Sequence, residues 1–132
     1  MTRKILLLAA LFGLSALILS GCVSYHPTER AAVVVFNDLA QVINVRFTLS
    51  GQQAPEEKIS ASEFKYIFEY EEDPNKSVEL PHMLTDMQID IASTCEISLT
   101  REQLTASFIR DPEGRRTWDL HVNEAFLKQH GC

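Results

Sequence analysis

The residues that could support acid–base or metal chemistry in this 132-residue chain are four histidines and a group of carboxylates. The histidines are His26, His82, His121 and His130. No two of them stand at the spacing by which a helix or a finger places metal ligands side by side. The sequence also contains no G-x-S-x-G elbow, no P-loop and no H-E-x-x-H motif. We therefore predict no catalytic residue, no metal site and no cofactor, and we interpret the histidines as surface side chains.

Carboxylates are densest at Glu69, Glu71, Glu72 and Asp73. Carboxylate oxygens are the ligands that Ca²⁺ prefers, but the ligand spacing of an EF-hand loop is absent. The solvated tip of a hairpin explains the same charges more simply. A basic partner could also meet them, so Glu71 and Glu72 are kept as candidate interface residues.

An aromatic row stands directly before this acidic stretch, in FKYIFEYEE (residues 64–72). Phe64, Tyr66, Phe68 and Tyr70 occupy every second position, which in a strand places them all on one face. As part of the core, each ring would bury about 150–250 Å². Left exposed, they would form an apolar patch of the kind that marks an interaction site. We predict that the row mainly builds the core, and we keep an interface as the alternative.

The first residues of the chain, MTRKILLLAALFGLSALILSGC, have the layout of a secretory signal peptide. Arg3 and Lys4 precede an apolar run over residues 5–19, which only Gly13 and Ser15 interrupt. A transmembrane helix needs about 20 apolar residues, and this run is shorter. Export is therefore the prediction.

Leu19-Ser20-Gly21-Cys22 resembles the lipobox of bacterial lipoproteins. The resemblance implies cleavage between Gly21 and Cys22, a diacylglycerol on the Cys22 sulfur and a fatty acyl chain such as palmitate on its amino group. Stable anchoring takes at least two acyl chains, which this modification exceeds. The resemblance is confined to residues 1–22 and implies nothing about the fold that follows.

The resemblance also carries an expectation about location. In the sorting pattern of such lipoproteins, an aspartate after the lipidated cysteine retains the protein in the inner membrane. Val23 stands there, so we expect the outer membrane, on its periplasmic side. The expected organisation is a signal peptide at 1–21, the lipidated cysteine and a tether at 22–30, and one domain at 31–132.

The charge of the domain limits its partners. Without Arg3 and Lys4 the chain has 10 basic and 18 acidic residues, a formal charge of −8. Nucleic acids and anionic lipid surfaces are bound through Lys and Arg, so neither fits. We expect membrane attachment through the lipid alone and a protein partner, with no small-molecule substrate evident.

Two cysteines remain after Cys22, and in an exported protein they most simply pair with each other. A Cys95–Cys132 disulfide would tie the C-terminus to the middle of the chain. A reactive or metal-binding thiol pair is the alternative. No C-x-x-C motif supports it, and His130 beside Cys132 is a single neighbour.

Alternating and β-branched stretches predict most of the domain to be strand. They lie at 31–38, 43–51, 64–70, 87–93 and 95–100, with a hairpin over 107–122, a polar loop at 52–58 and a short edge segment at 77–81. Whether 87–100 is one bulged strand or two stays open. Ser60 and Glu63 have capping-box spacing, so a helix is the alternative at 64–68.

Helix signals are few. Thr100 and Gln103 form a capping box that predicts a helical turn at 101–106, and Asn123 is placed to cap a helix over 124–129 that Gly131 ends. The predicted fold is therefore mainly β, a small antiparallel β-sandwich or barrel with one or two short helices.

Three functions compete on these observations. The leading hypothesis is a non-enzymatic outer-membrane lipoprotein that presents a disulfide-closed β domain for protein binding, as an accessory in envelope assembly or secretion. Its partner could add a strand to an exposed edge at 64–70. The alternative is a periplasmic inhibitor or exclusion factor. A cell-wall or lipid enzyme is least favoured, and would need a deep pocket holding two of His82, His121, Asp119 and Glu124.

Overall fold

The computed structural model describes residues 27–132, so the predicted signal peptide, the Gly21–Cys22 cleavage site and the lipidated Cys22 lie outside the described residues. Two helices and nine strands fill the described range. The strands are β1 (Glu29–Asn37), β2 (Ile43–Leu49), β3 (Gln52–Gln53), β4 (Glu57–Ile59), β5 (Phe64–Glu72), β6 (Leu84–Ile91), β7 (Cys95–Leu99), β8 (Ile109–Arg110) and β9 (Thr117–Val122). The helices are α1 (Arg101–Ser107) and α2 (Glu124–Gln129).

The strands form two sheets, and the mainly-β, sandwich-like fold expected from the sequence is confirmed. The first sheet has the order β5-β1-β9-β8, and the second has the order β3-β2-β6-β7, with β4 also paired to β2. All pairs are antiparallel except β1 and β9, which run parallel. An all-antiparallel sheet was expected. The exception is possible because no hairpin joins β1 to β9, so no tight turn fixes their relative direction.

The core lies between the sheets and is built by the alternation that predicted the strands. Ile43, Val45 and Phe47 of β2 point inward, and the residues between them are partly exposed. The helices close the core, because Leu104 of α1 and Phe126 and Leu127 of α2 are buried in it. Across residues 27–132, neither helix is both long enough and apolar enough to cross a membrane.

The loops differ most from prediction. Residues 52–58 were expected to be a polar loop, yet β3 and β4 form there because both find a free edge on β2. No strand forms at 77–81. Instead, the Arg101 guanidinium binds the carbonyls of Leu80 and Pro81 at 2.6 and 2.8 Å, which holds this segment in an irregular path. Residues 87–100 form two strands joined by a turn at 92–94.

The predicted helix caps are present. Thr100 and Gln103 make the reciprocal bonds of a capping box at the start of α1. Asn123 Oδ1 accepts from the Phe126 amide at 2.9 Å at the start of α2. Beyond α2 the chain turns at Gly131, where φ is +81°, and returns to β7. There Cys95 and Cys132 are at disulfide distance, with Cα atoms 6.1 Å apart.

Candidate interaction surface on the first sheet

A β-bulge at Ile67 divides the aromatic row of β5. Phe68 lies opposite Val33 of β1, whereas Tyr66 lies opposite the next residue, Val34. Ile67 is therefore an extra residue without a partner on β1. Because side chains alternate with a period of two, one extra residue reverses which face the following side chains occupy. The row that the sequence placed on one face is split between two faces.

The second half of the row faces the core. Phe68 packs against Phe47 of the opposite sheet, with ring centroids 6.2 Å apart, and Tyr70 packs beside it. Ile67 is also buried, at 8% exposure. The prediction of a core-forming row holds for this half.

The first half of the row faces outward. Phe64 and Tyr66 are 53% and 54% exposed. The Phe64 ring lies 5.3 Å from that of Phe36 on β1, which in turn stacks on His121 of β9 at 4.4 Å. The Tyr66 ring meets the edge of Phe64 at 5.9 Å. Four rings therefore form a continuous band across three strands.

Two aliphatic residues extend this band along the next level of the sheet. Val34 of β1 is paired with Tyr66 on one side and with Asp119 of β9 on the other. Asp119 is paired in turn with Ile109 of β8, which is 66% exposed. We call the outward-facing group the aromatic face. It consists of Phe36, Phe64, Tyr66, Ile109 and His121, and of Val34, which is itself buried at 2% exposure.

Asp38, the first residue after β1, fixes the position of the His121 ring. Its Nδ1 atom lies 2.8 Å from Asp38 Oδ2. Asp38 is placed by its neighbour Asn37, which is fully buried and donates to the carbonyls of Ile59 and Ser60 at 3.0 and 3.1 Å. A buried amide with satisfied bonds makes this corner of the fold rigid. The His121 ring is thereby held flat against Phe36.

Asp119 lies beside the aromatic face, and one of its oxygens has no partner. The residue is 9% exposed, and its Oδ1 atom meets no hydrogen-bond donor within the described part of the chain. It lines two adjoining clefts together with His121 and Ile109. One cleft, of about 290 Å³, lies between β9 and helix α2. The other, of about 280 Å³, lies under the turn at 111–115.

The acidic candidates Glu71 and Glu72 occupy different environments. Glu71 is exposed and accepts the Thr28 hydroxyl at 3.0 Å. Glu72 is mostly buried and accepts two bonds from the Arg110 guanidinium, at 2.7 and 2.9 Å. Tyr70 donates a further bond to Glu72 at 3.2 Å. Burial, followed by the nearby Glu72 carboxylate, raises the pKa of the Tyr70 hydroxyl.

Glu72, Arg110 and Tyr70 close one end of the sandwich. Because Arg110 and Tyr70 already bind the Glu72 carboxylate, it is not free to bind a partner. In residues 27–132 no group of three histidine, cysteine or acidic side chains is placed to hold a metal ion. Of the two acidic candidates, Glu71 is the one that presents its side chain to solvent.

The outer face of the second sheet is polar throughout. Arg46 of β2 binds Asp90 of β6 at 2.8 Å, and Thr48 donates to Asp86 at 2.9 Å. Gln88 bonds to Glu96 on the neighbouring strand β7. Such cross-strand polar pairs are typical of a face turned to water.

Sequence reasoning missed Phe36 and Ile109 as surface residues. Phe36 ends a continuous apolar run, AAVVVF, which predicts a strand buried on both sides and hides which residues point outward. Phe36 stands two positions after Val34, so the two residues share one face of a strand, and this was the signal available in the sequence. No sequence pattern around Ile109, which lies on the two-residue strand β8, indicates that it is exposed.

Comparison of the chain with models of protein families, with curated protein sequences and with solved structures found no match.

Proposed function

We propose that this protein is a membrane-anchored lipoprotein, attached through Cys22 to the outer membrane, and that it binds another protein of the cell envelope through the aromatic face. In this proposal the role is that of an accessory in envelope assembly or secretion, and the domain itself catalyses no reaction. The lipobox resemblance supports the anchor, and the outer face of the first sheet supports the binding.

The observation that carries the binding proposal is the half-exposure of Phe64 and Tyr66 in a band with Phe36 and His121. Each of the two exposed rings leaves roughly 100 Å² open to water, about half of its surface. Covering that area would contribute about 2 kcal/mol per residue. Clustered exposed rings of this kind are typical of interaction sites, and aromatic side chains dominate binding energy in protein interfaces.

The path of β1 separates this surface from the proposed anchor. The strand begins at Glu29 and reaches Phe36 seven residues later. At about 3.3 Å per residue, Phe36 lies roughly 23 Å along the strand from the point where the chain enters the domain. A tether from Cys22 to Glu29 would therefore hold the opposite end of the sheet near the membrane and leave the aromatic face for a partner.

The cysteine pair supports an exported domain. Cys95 and Cys132 are separated by 37 residues. Closing a loop of that length stabilises a fold by about 4 kcal/mol in the chain-entropy model. We expect the bond to form in the oxidising periplasm and to fix α2, which packs beside β9, to the second sheet.

Capture of the partner from intact cells tests the proposal. The full-length protein carrying Tyr66→Ser or Phe64→Ser should recover its partner at least about tenfold less well, because each change removes about 2 kcal/mol of burial. Gln88→Ser on the polar face of the second sheet is the matched control and should recover it normally. Glu71→Lys asks whether the acidic tip contributes. Unchanged recovery by both folded aromatic variants would refute the proposal.

A second function, acid–base catalysis, is favoured by one observation. His121 and Asp119 line the same clefts, and Asp38 orients the His121 ring as a carboxylate orients a catalytic histidine. Ser107 lines the cleft beside α2, yet no hydrogen bond joins it to His121 within residues 27–132. The geometry is that of an oriented base without an activated nucleophile.

Turnover measurements separate this second function from the first. Isolated cell wall and phospholipid would be incubated with the purified protein and with its His121→Gln variant. Hydrolysis that His121→Gln abolishes would establish the catalytic function. Absence of turnover by the folded wild-type protein, together with normal partner capture, would leave the binding proposal in place.

A further inference from the structure

Asp119 lines the cleft between β9 and α2, and none of the protein's own donors binds its buried oxygen within residues 27–132. Asp119 contributes a buried carboxyl oxygen that meets no donor in the described structure. Buried oxygens of this kind are almost always hydrogen-bonded, because an unmatched one costs free energy. Two guanidiniums line the adjoining cleft, and each is bound to another carboxylate: Arg115 to Asp111, with Nε 3.0 Å from Oδ2, and Arg110 to Glu72. The Asp119 carboxylate is therefore left without an internal donor at a cleft that opens to solvent.

The charge around the cleft specifies a cationic donor. Residues 27–132 carry 10 basic and 18 acidic side chains, and Asp38 adds a second carboxylate beside His121. A phosphate or a carboxylate would face the carboxylates of Asp119 and Asp38 here, while the two arginines of the adjoining cleft are already paired. A second copy of this domain would bring the same excess of negative charge. A guanidinium or an ammonium group complements both the unmatched oxygen and the surrounding potential.

The size of the cleft and its neighbouring residues indicate that its occupant is a side chain of another protein and not a free small molecule. Its volume of about 290 Å³ lies at the lower limit of ordinary small-molecule sites, which span roughly 300–1,000 Å³. It opens beside His121 and Ile109, at the margin of the aromatic face. A basic side chain entering from a protein docked on that face would also pass the rings of the band, which attract cations.

We propose that the cleft lined by Asp119 receives an arginine or lysine side chain of the protein that docks on the aromatic face. This inference rests on the proposed binding function and adds the chemistry of the partner: a basic segment flanked by apolar residues. The two surfaces have different roles in this proposal. Apolar burial on the rings of the aromatic face supplies affinity, and the Asp119 carboxylate selects a cation.

Titration of the full-length protein with acetyl-arginine amide, followed by NMR, tests the cation site directly. The resonances of Asp119, Ile109 and His121 should shift, and acetyl-citrulline amide, a neutral isostere, should bind at least about tenfold more weakly. Asp119→Asn should weaken arginine amide by a similar factor, whereas Asp86→Asn on the second sheet should change nothing. Equal binding of the two amides, or an unaffected Asp119→Asn variant, would overturn the proposal.

A second pair of variants keeps the proposal testable if Asp119→Asn does not fold. Gln129 is exposed, lies on α2 and lines the cleft. Gln129→Arg should place the protein's own cation over Asp119 and block arginine amide, whereas Gln129→Glu should leave the cleft open. If Gln129→Arg binds the probe as well as Gln129→Glu does, the cleft is not the site.

The same variants distinguish failure of this inference from failure of the proposed function. Loss of partner capture by Tyr66→Ser, with normal capture by both Asp119→Asn and Gln129→Arg, would remove the cation site and leave the aromatic face as the interface. Spermidine that binds tightly, in a manner blocked by Gln129→Arg, while Tyr66→Ser captures its partner normally, would identify a polyamine site and overturn the protein partner.

Discussion

The outer faces of the two sheets differ, although both sheets enclose the same core. The second sheet presents cross-strand polar pairs such as Arg46–Asp90 and Thr48–Asp86. The first sheet presents Phe64, Tyr66 and Ile109, each more than half exposed. A sheet that serves only to enclose a core is expected to be polar on its outer side, as the second sheet is. The apolar outer side of the first sheet is therefore the feature that requires a functional explanation.

The same contrast exists within a single strand, on either side of the bulge in β5. Phe68 lies inward against Phe47, whereas Tyr66, two positions earlier, lies outward. Side chains of similar chemistry are thus assigned to different tasks by one extra residue, Ile67. Stability should depend on the inward half of the strand and binding on the outward half.

The largest stability effect is expected from Phe68→Ala. Removing a core ring should lower the free energy of unfolding by about 3 kcal/mol, because the cavity is added to the lost burial. Tyr66→Ala should cost less than about 1 kcal/mol, as surface changes usually do. Urea unfolding of both variants measures the difference. Equal losses would mean that both rings belong to one core and that the bulge does not separate them.

Ion pairs on the two sheets give a smaller contrast. The Glu72–Arg110 side chains are only 13% and 23% exposed, and their pairing is bidentate. Glu72→Gln should therefore cost about 2 kcal/mol, below the 3–5 kcal/mol of a fully buried pair. The Asp90–Arg46 pair is 26% and 35% exposed, and Asp90→Asn should cost about 0.5 kcal/mol. Similar costs would show that the end of the sandwich is as solvated as its polar face.

The smallest effect concerns Tyr70, on the inward half of β5. Burial and the Glu72 carboxylate raise its pKa, so the folded protein holds the proton more tightly than the unfolded chain does. The resulting stability is fully present below the ordinary tyrosine pKa of about 10 and is lost as the pH rises through the higher folded value.

Tyr70→Phe isolates that contribution. The wild-type protein should lose stability above about pH 10, and the variant should lose less of it over the same range. Tyrosinate absorbance of the folded proteins should show that the variant lacks one step that occurs above the ordinary tyrosine pKa. Identical alkaline profiles for the two proteins would place Tyr70 in solvent.

Much of the fold could be predicted from local patterns. The alternation of Ile43, Val45 and Phe47 identified β2, and the capping box from Thr100 to Gln103 identified α1, since both signals act over a few residues. The bulge could not be predicted, because it depends on the register between β5 and a strand some 30 residues away in the chain. The parallel pairing of β1 with β9 depends on tertiary packing for the same reason.

The candidate site was only partly accessible to sequence reasoning. Phe64 and Tyr66 were named because aromatic residues at every second position are conspicuous. Phe36 was hidden inside an apolar run, and its outward direction is decided by the neighbours of β1 in the sheet. The partnerless oxygen of Asp119 depends on which residues the fold packs around it, and no pattern in the residues near Asp119 in the sequence indicates that.

Site-specific photo-cross-linking in intact cells tests the central claim most directly. A benzoylphenylalanine residue would replace Tyr66 on the first sheet in one strain and Gln88 on the second sheet in another. We expect a discrete protein adduct from position 66 that is absent from position 88 and is lost when Phe64→Ser is added. Equal adducts from the two positions, or none from position 66 in a folded and membrane-anchored protein, would contradict it.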